Sequence, residues 1–279
     1  MEPLCYLNGE IIPLKDAKVG ILDLGLLRGF GIYEGITSFH GEPFHFHDHW
    51  QRLERSAAAL SLTIPYAESD VLEAMRRVIA HNSPGSRANI RMVLTGGEAE
   101  GGLEYVPGRE TLYFTAEPAV PLPQELYEKG AKLITHEHGR FLPEIKTINY
   151  ITAVQLQPER KAARAVEILY IARDQVLECA TSNIFIVKGG ILATPREGVL
   201  GGITRKVVLE IAREAECPVE ERVVTSHELF AADEVFITSS FKDIVPIVLI
   251  DEKTIGSGAP GAITRDLMKR FANYTEKRK

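Results

Sequence analysis

The segment EPAVPLPQEL (117–126) sets three prolines within six residues, from Pro118 to Pro123. Proline fixes φ and has no backbone donor, so the stretch reads as neither helix nor central strand. It predicts a linker over 118–125, between a small N-terminal α/β domain (1–117) and a larger, β-rich α/β C-terminal domain (126–279). Mixed strands and helices within each half predict an α+β chain rather than one doubly wound sheet. Apolar residues make up 45% of the chain and charged residues 25%, the balance of a soluble globular protein.

Before the linker, Asn8-Gly9 between two short apolar runs predicts a hairpin, and residues 31–46 continue as strand around a turn at His40–Pro43. HDHWQRLERSAAALSL reads as a helix with Trp50, Leu53, Ala57 and Leu60 on one side. ESDVLEAMRRVIAHN reads as a second helix with Ser69 as its cap, and ANIRMVLTGG and ETLYFTAEP as strands. Beyond the linker the pattern gives a strand AKLITHE, a helix AVQLQPERKAARA, and strands EILYIARDQ, VLECATSNIFIVKGG and ILATP. A helix TRKVVLEIAREA, a strand VEERVV, a helix SHELFAA, a strand EVFITSS and a C-terminal helix complete it.

Several function classes drop out. A net charge of −6 argues against nucleic acid or an anionic membrane as the main partner. No apolar run reaches the roughly 18 residues of a membrane helix, and MEPLCYLNGE lacks a secretory signal pattern. Cys5, Cys179 and Cys217 are widely spaced and odd in number, which suits a reducing cytoplasm. His45, His47 and His49 would share a strand face, but no fourth ligand accompanies them, so no metal is expected. RGFGIYEG misses the spacing of a dinucleotide fingerprint, and hydrolase and kinase signatures are absent.

Three features remain together. Lys146, in EIKTINY, stands among β-branched, aromatic and amide residues rather than on a charged helix flank. Glu178, in LECATSNIFIVKGG, falls inside a strand, where a carboxylate is costly unless paired. Gly201 and Gly202 precede an amphipathic helix that opens on Ile203 and Thr204, whose amides and hydroxyl could receive an anion. An ordinary helix cap reads the same residues equally well. GAITRDLMKRF repeats Ile-Thr-Arg, so that tripeptide alone is weak and Thr264 is left as a cap. A lysine for a Schiff base, an acid for a protonated pyridine nitrogen and a phosphate cradle are together the three handles of pyridoxal phosphate.

The chain resembles the fold-type IV (class IV) pyridoxal-phosphate aminotransferases, through YLNGEIIP, HWQRLERS, IKTINY, LECATSNIFIVKGG, GGITRKVV and ADEVFITSS. The resemblance spans essentially the whole chain and implies that family's fold, pyridoxal 5′-phosphate as cofactor, and a homodimer with its site near the interface. It implies that Lys146 is the Schiff-base lysine, that Glu178 partners the pyridine nitrogen, and that Tyr150 bonds the ring oxygen. Arg52, Gly202, Ile203, Thr204 and Ser240 would hold the phosphate, Leu200 would pack on the ring, and Asn183 would stand beside it.

The substrate contacts depart from the better-known members. The strand at 88 keeps Arg91 but lacks the tyrosine and proline of branched-chain enzymes, and Ser240-Phe241-Lys242 replaces their small-residue turn. LLRGFG, IRMVLTGG and LPEIKTINY instead resemble a less common group of D-amino-acid aminotransferases, in which Arg28 and Arg91 would clamp an α-carboxylate beside Tyr33. A loop ion pair is the other reading of Arg28. The expectation is a ping-pong transaminase for D-amino acids and an oxo acid such as 2-oxoglutarate. A branched-chain L-amino-acid aminotransferase is the alternative, encouraged by YEGI at 33–36, and an aminodeoxychorismate lyase a further one.

Overall fold

The computed structural model describes residues 2–277 and divides into two compact units. One contains the residues up to Val120 together with Ile145–Asn149; the other contains Pro121–Glu144 and the residues from Tyr150 onward.

In the first unit the strands are β1 (Leu4–Leu7), β2 (Glu10–Pro13), β3 (Gly31–Phe39), β4 (Glu42–Pro43), β5 (Ala88–Thr95) and β6 (Thr111–Pro118). Among the described residues they form a six-stranded antiparallel sheet in the order β2-β1-β6-β5-β3-β4. The helices are α1 (Leu24–Arg28), α2 (Phe46–Ala59) and α3 (Glu68–Asn82). Alternation along the strands sends Ile32, Ile36, Ile90, Met92 and Leu94 to one face, where they pack with Trp50, Leu53, Met75 and Val78 of α2 and α3. The other face carries Tyr33 and Gly35 of β3 opposite Val93 and Arg91 of β5.

Residues 145–149 belong to this unit, whereas the proline-rich linker predicts Lys146 in the C-terminal domain. The Tyr33 amide donates to the Lys146 carbonyl (2.9 Å) and the Ile148 amide to the Gly31 carbonyl (3.1 Å). The segment thus lies beside β3 as a strand would, and that is why a lysine stands among β-branched neighbours.

In the second unit α4 (Gln124–Lys129) leads to β7 (Ala131–Glu137), α5 (Ile151–Gln155), α6 (Gln157–Ala162), β8 (Glu167–Ala172) and β9 (Gln175–Cys179). Next come β10 (Asn183–Lys188), β11 (Ile191–Pro195), α7 (Ile203–Glu214), β12 (Val219–Arg222), β13 (Val224–Thr225) and α8 (Ser226–Phe230). The last elements are β14 (Glu234–Ser239), β15 (Asp243–Ile250), β16 (Lys253–Thr254) and α9 (Ala262–Glu276). The strands form a mixed sheet in the order β12-β11-β10-β14-β15-β7-β8-β9-β13, with β16 on β15.

Some expectations need correction. The run VLECATSNIFIVKGG is two strands, broken at Ala180–Ser182, so Glu178 sits beside a turn rather than mid-strand. AVQLQPERKAARA divides into α5 and α6, with Pro158 in the first turn of the second, a position that wastes no amide hydrogen bond. α3 is capped at Ala67 without a side-chain bond, and Ser69 bonds Asp70 instead. β15 has no counterpart in the sequence reading, because Pro246 interrupts its apolar pattern. It pairs across from Phe236 all the same, and the strand's register shifts between Ile247 and Leu249 on its other side.

Candidate active site

In the first unit, Lys146 Nζ lies 3.3 Å from the Tyr33 hydroxyl and 4.3 Å from the centroid of its ring. Both are half-buried. Arg52 on α2 is buried and grips Glu34 of β3 with two nitrogens, Nε to Oε1 (2.9 Å) and Nη2 to Oε2 (2.6 Å). His49, one helical turn earlier, adds a bond from Nδ1 to Glu34 Oε2 (2.7 Å). Burial raises the Glu34 carboxyl, but Arg52 and His49 outweigh it and bring it down to about 2. Burial lowers the His49 imidazole, Glu34 opposes that lowering, and the charges of Arg52 and Lys146 add to it.

Glu34 and His49 escape a sequence reading that places His45, His47 and His49 on one strand face. The histidines lie in and just before α2: His45 pairs with Asp48, His47 with Glu68, and His49 with Glu34. No group of three His, Cys, Asp or Glu among the described residues could hold a metal ion. The spacing His49-x-x-Arg52, which puts both on one helix face, is the signal that could have found them.

The two expected substrate arginines stand on different elements. Arg91, on the sheet face shared with Tyr33, pairs with Glu117 (2.7 Å) in an exposed ion pair. Arg28 ends α1, just before Gly29 in the left-handed conformation, and its Nη1 donates to the Leu27 carbonyl (2.9 Å). Asp23 fixes the start of that helix: it caps Gly25 (2.7 Å) and accepts from the Thr95 (2.8 Å) and Thr111 (2.9 Å) hydroxyls while fully buried.

In the second unit, Glu178 is buried and accepts from Arg140 Nε (2.8 Å), the Leu200 amide (3.0 Å) and Asn183 Nδ2 (3.3 Å). Asn183 Nδ2 also donates to the Leu200 carbonyl (2.8 Å), so Asn183 ties the acid to the loop before α7. Arg140, in a loop of unremarkable sequence, is a partner that sequence reasoning missed. Tyr150 caps α5 and packs against Ile134, Ala153, Ile168 and Tyr170. In the turn after β14 that carries Ser240, the Lys242 ammonium reaches Glu167 (2.8 Å) and Thr181 (2.8 Å), and Tyr127 donates to the Lys242 carbonyl (3.1 Å).

The two Ile-Thr-Arg helices differ in a way that decides which can take an anion. At α9 the carboxylate of Glu234 already occupies the N-terminus, accepting from the Ile263 (3.1 Å) and Thr264 (2.7 Å) amides and the Thr264 hydroxyl (2.6 Å). Thr264 is thus the recipient of a cap, not its source. At α7 the N-cap is Gly202, no side chain caps the helix, and no acid lies in its first turn. Gly202 packs so close to Asn183 that a Cβ there would meet its Oδ1 at 2.0 Å. At the end of β14, the Thr238 and Ser239 hydroxyl oxygens are buried without a hydrogen-bond partner among the described residues, next to Ser240. A helix N-terminus with neither a side-chain cap nor an acid in its first turn fits an anionic group such as a phosphate.

The amino-transferase class IV family matches residues 31–250. This chain belongs to that family. A D-alanine aminotransferase of Listeria monocytogenes is 32% identical over 95% of this chain and 93% of its own. A Methanocaldococcus jannaschii protein, provisionally named a branched-chain-amino-acid aminotransferase, is 36% identical over 98% and 96%. A branched-chain amino acid aminotransferase of T.th., solved with pyridoxamine 5′-phosphate, superposes with a TM-score of 0.90 at 29% identity, covering 100% of this chain and 96% of that one. The chain is therefore an aminotransferase of the fold-type IV architecture, and the cofactor of its class is pyridoxal 5′-phosphate. No helix among the described residues is long and apolar enough to cross a membrane.

Proposed function

We propose that this class IV aminotransferase moves an amino group between a D-amino acid and a 2-oxo acid such as 2-oxoglutarate, in a ping-pong cycle. Bound pyridoxal phosphate supplies an aldehyde that accepts the amino group and a ring that withdraws electrons from the substrate α-carbon. The remaining work falls to the chain. Lys146 supplies the amine that holds the aldehyde and moves the α-proton. Glu178, held by Arg140 and Asn183, keeps the pyridine nitrogen protonated. Tyr150 bonds the ring oxygen and Leu200 packs on the ring. Arg52, the amides of Ile203 and Thr204, and Ser240 take the phosphate, with Gly202 keeping the cradle open.

The observation that carries the D-specific reading is the arginine pair: Arg28 closing α1, and Arg91 on the Tyr33 face in an ion pair open to water. The likeness to D-alanine aminotransferases supports it. The second reading, a branched-chain L-amino-acid aminotransferase, draws on the Methanocaldococcus relative. A second copy of the chain is part of the proposal, because Ile21, Leu22, Leu26 and Leu27 leave an exposed apolar surface around α1. Three cysteines outside any disulfide suit the cytoplasm.

The test is a half-reaction panel in which D- and L-amino acids are added separately and the visible cofactor band is followed. Bleaching by D- but not L-substrates is expected, and Lys146→Ala should lose turnover. Bleaching by L-leucine or L-valine alone would replace this reading with the second.

A further inference from the structure

We propose that Glu34 and His49 are positioning residues for the cofactor phosphate, acting through Arg52; this rests on the phosphate-binding reading of Arg52 given above. Glu34 lies on the core face of β3 between Ile32 and Ile36, in a layer otherwise filled by Trp50, Leu53 and Met92. It is wholly buried, and His49 is 1% exposed. An ion pair in such a layer seldom improves on apolar side chains of the same volume, so stability does not account for it.

Geometry does. Nε and Nη2 of Arg52 form a fork on the two oxygens of Glu34, at 2.9 and 2.6 Å. A guanidinium is planar, so two bonds to one carboxylate fix its plane and turn the Nη1 edge away from Glu34. His49 Nδ1 then holds the same carboxylate from a third side at 2.7 Å, on the oxygen that receives Nη2. The ring must donate there, which fixes its tautomer. With Glu34 ionised and His49 neutral, the cluster carries no net charge. What Arg52 offers a phosphate is a fixed direction more than an excess of charge. The cluster is also within electrostatic reach of Lys146, whose charge acts on His49.

The test titrates apoenzyme with pyridoxal phosphate and, separately, with pyridoxal, which lacks the phosphate. Cofactor absorbance reports binding, and the melting temperature of each apo variant reports folding. Arg52→Ala, Glu34→Asp and His49→Phe should each bind pyridoxal phosphate about ten- to a hundredfold more weakly, the range for a lost charge-assisted hydrogen bond. Their pyridoxal affinity should stay at the wild-type level. His49→Asn keeps an N–H where Nδ1 stood and should restore most of the phosphate-dependent affinity.

If Arg52→Ala weakens both ligands equally, the phosphate reading of Arg52 fails. If Arg52→Ala is selective for the phosphate ester while Glu34→Asp and His49→Phe bind like wild type, the positioning role fails and the reading stands. Equal losses for both ligands in the Glu34 and His49 variants also overturn it, since they mark general loosening. Should Glu34→Asp not fold, the contrast between His49→Phe and His49→Asn decides.

Discussion

Of the four arginines described above, Arg52 and Arg140 are enclosed, whereas Arg28 and Arg91 face water. Arg52 and Arg140 hold buried carboxylates, where losing one partner strands a charge. Arg91 and Glu117 are each more than half exposed, at 54% and 56% of their side chains. Such pairs contribute about 0–1 kcal/mol, whereas a carboxylate bound by a charged donor gains about 1.5–3 kcal/mol. In the function proposed above, a substrate carboxylate would therefore displace Glu117 at little cost. Arg28→Ala and Arg91→Ala should each raise KM for carboxylate substrates by roughly one to two decades and leave cofactor affinity alone. Steady-state kinetics with a D-amino acid measures this, and an unchanged KM in both variants would remove the pair from substrate binding.

Among elements, α7 and α9 share a tripeptide but not a task, because Glu234 fills the end of one and no side chain caps the other. Glu234→Ala should lower the melting temperature by a helix-cap contribution of about 1 kcal/mol with cofactor affinity unchanged. Gly202→Ala should do the reverse: its Cβ pushes Asn183 away from Glu178 and Leu200, so cofactor titration should weaken while α7 persists in circular dichroism. Equal cofactor affinity in Gly202→Ala would mean the close approach is only packing. The distinction is invisible in the sequence, since Glu234 and Thr264 are 30 residues apart and meet only in the fold. What can be read is local. The helix 68–82 and the strand 131–137 coincide with their periodic patterns, because one apolar face decides each. Lys146, Glu178 and the Gly-Gly turn are legible as candidates, since each is costly or odd where it stands; Arg52 is legible only through the family resemblance. The partners that hold them are not: Glu34, His49 and Arg140 make ordinary residue types do uncommon things through contacts of long sequence separation.

For the whole molecule, α1 serves both association and substrate grip in the function proposed above. Its five residues include Leu26 and Leu27, exposed by 68% and 40%, and end on Arg28. Asp23 clamps the start of the helix to Thr95 and Thr111, so this apolar surface is presented rigidly. A face built that firmly suits a partner with the same face or a neighbouring one, and in the reading above that partner is a second copy. Leu26→Asp removes no buried contact from the protomer, so the melting temperature of the isolated chain should change little. Sedimentation velocity should nevertheless find it mostly monomeric at concentrations where wild type is dimeric. If Arg28 serves the site of the other copy, the variant should also show a raised KM that falls as enzyme concentration increases, because mass action refills the dimer. A dimer as tight as wild type in Leu26→Asp and Leu27→Asp would put the interface elsewhere. A raised KM that ignores enzyme concentration would instead tie Arg28 to its own protomer.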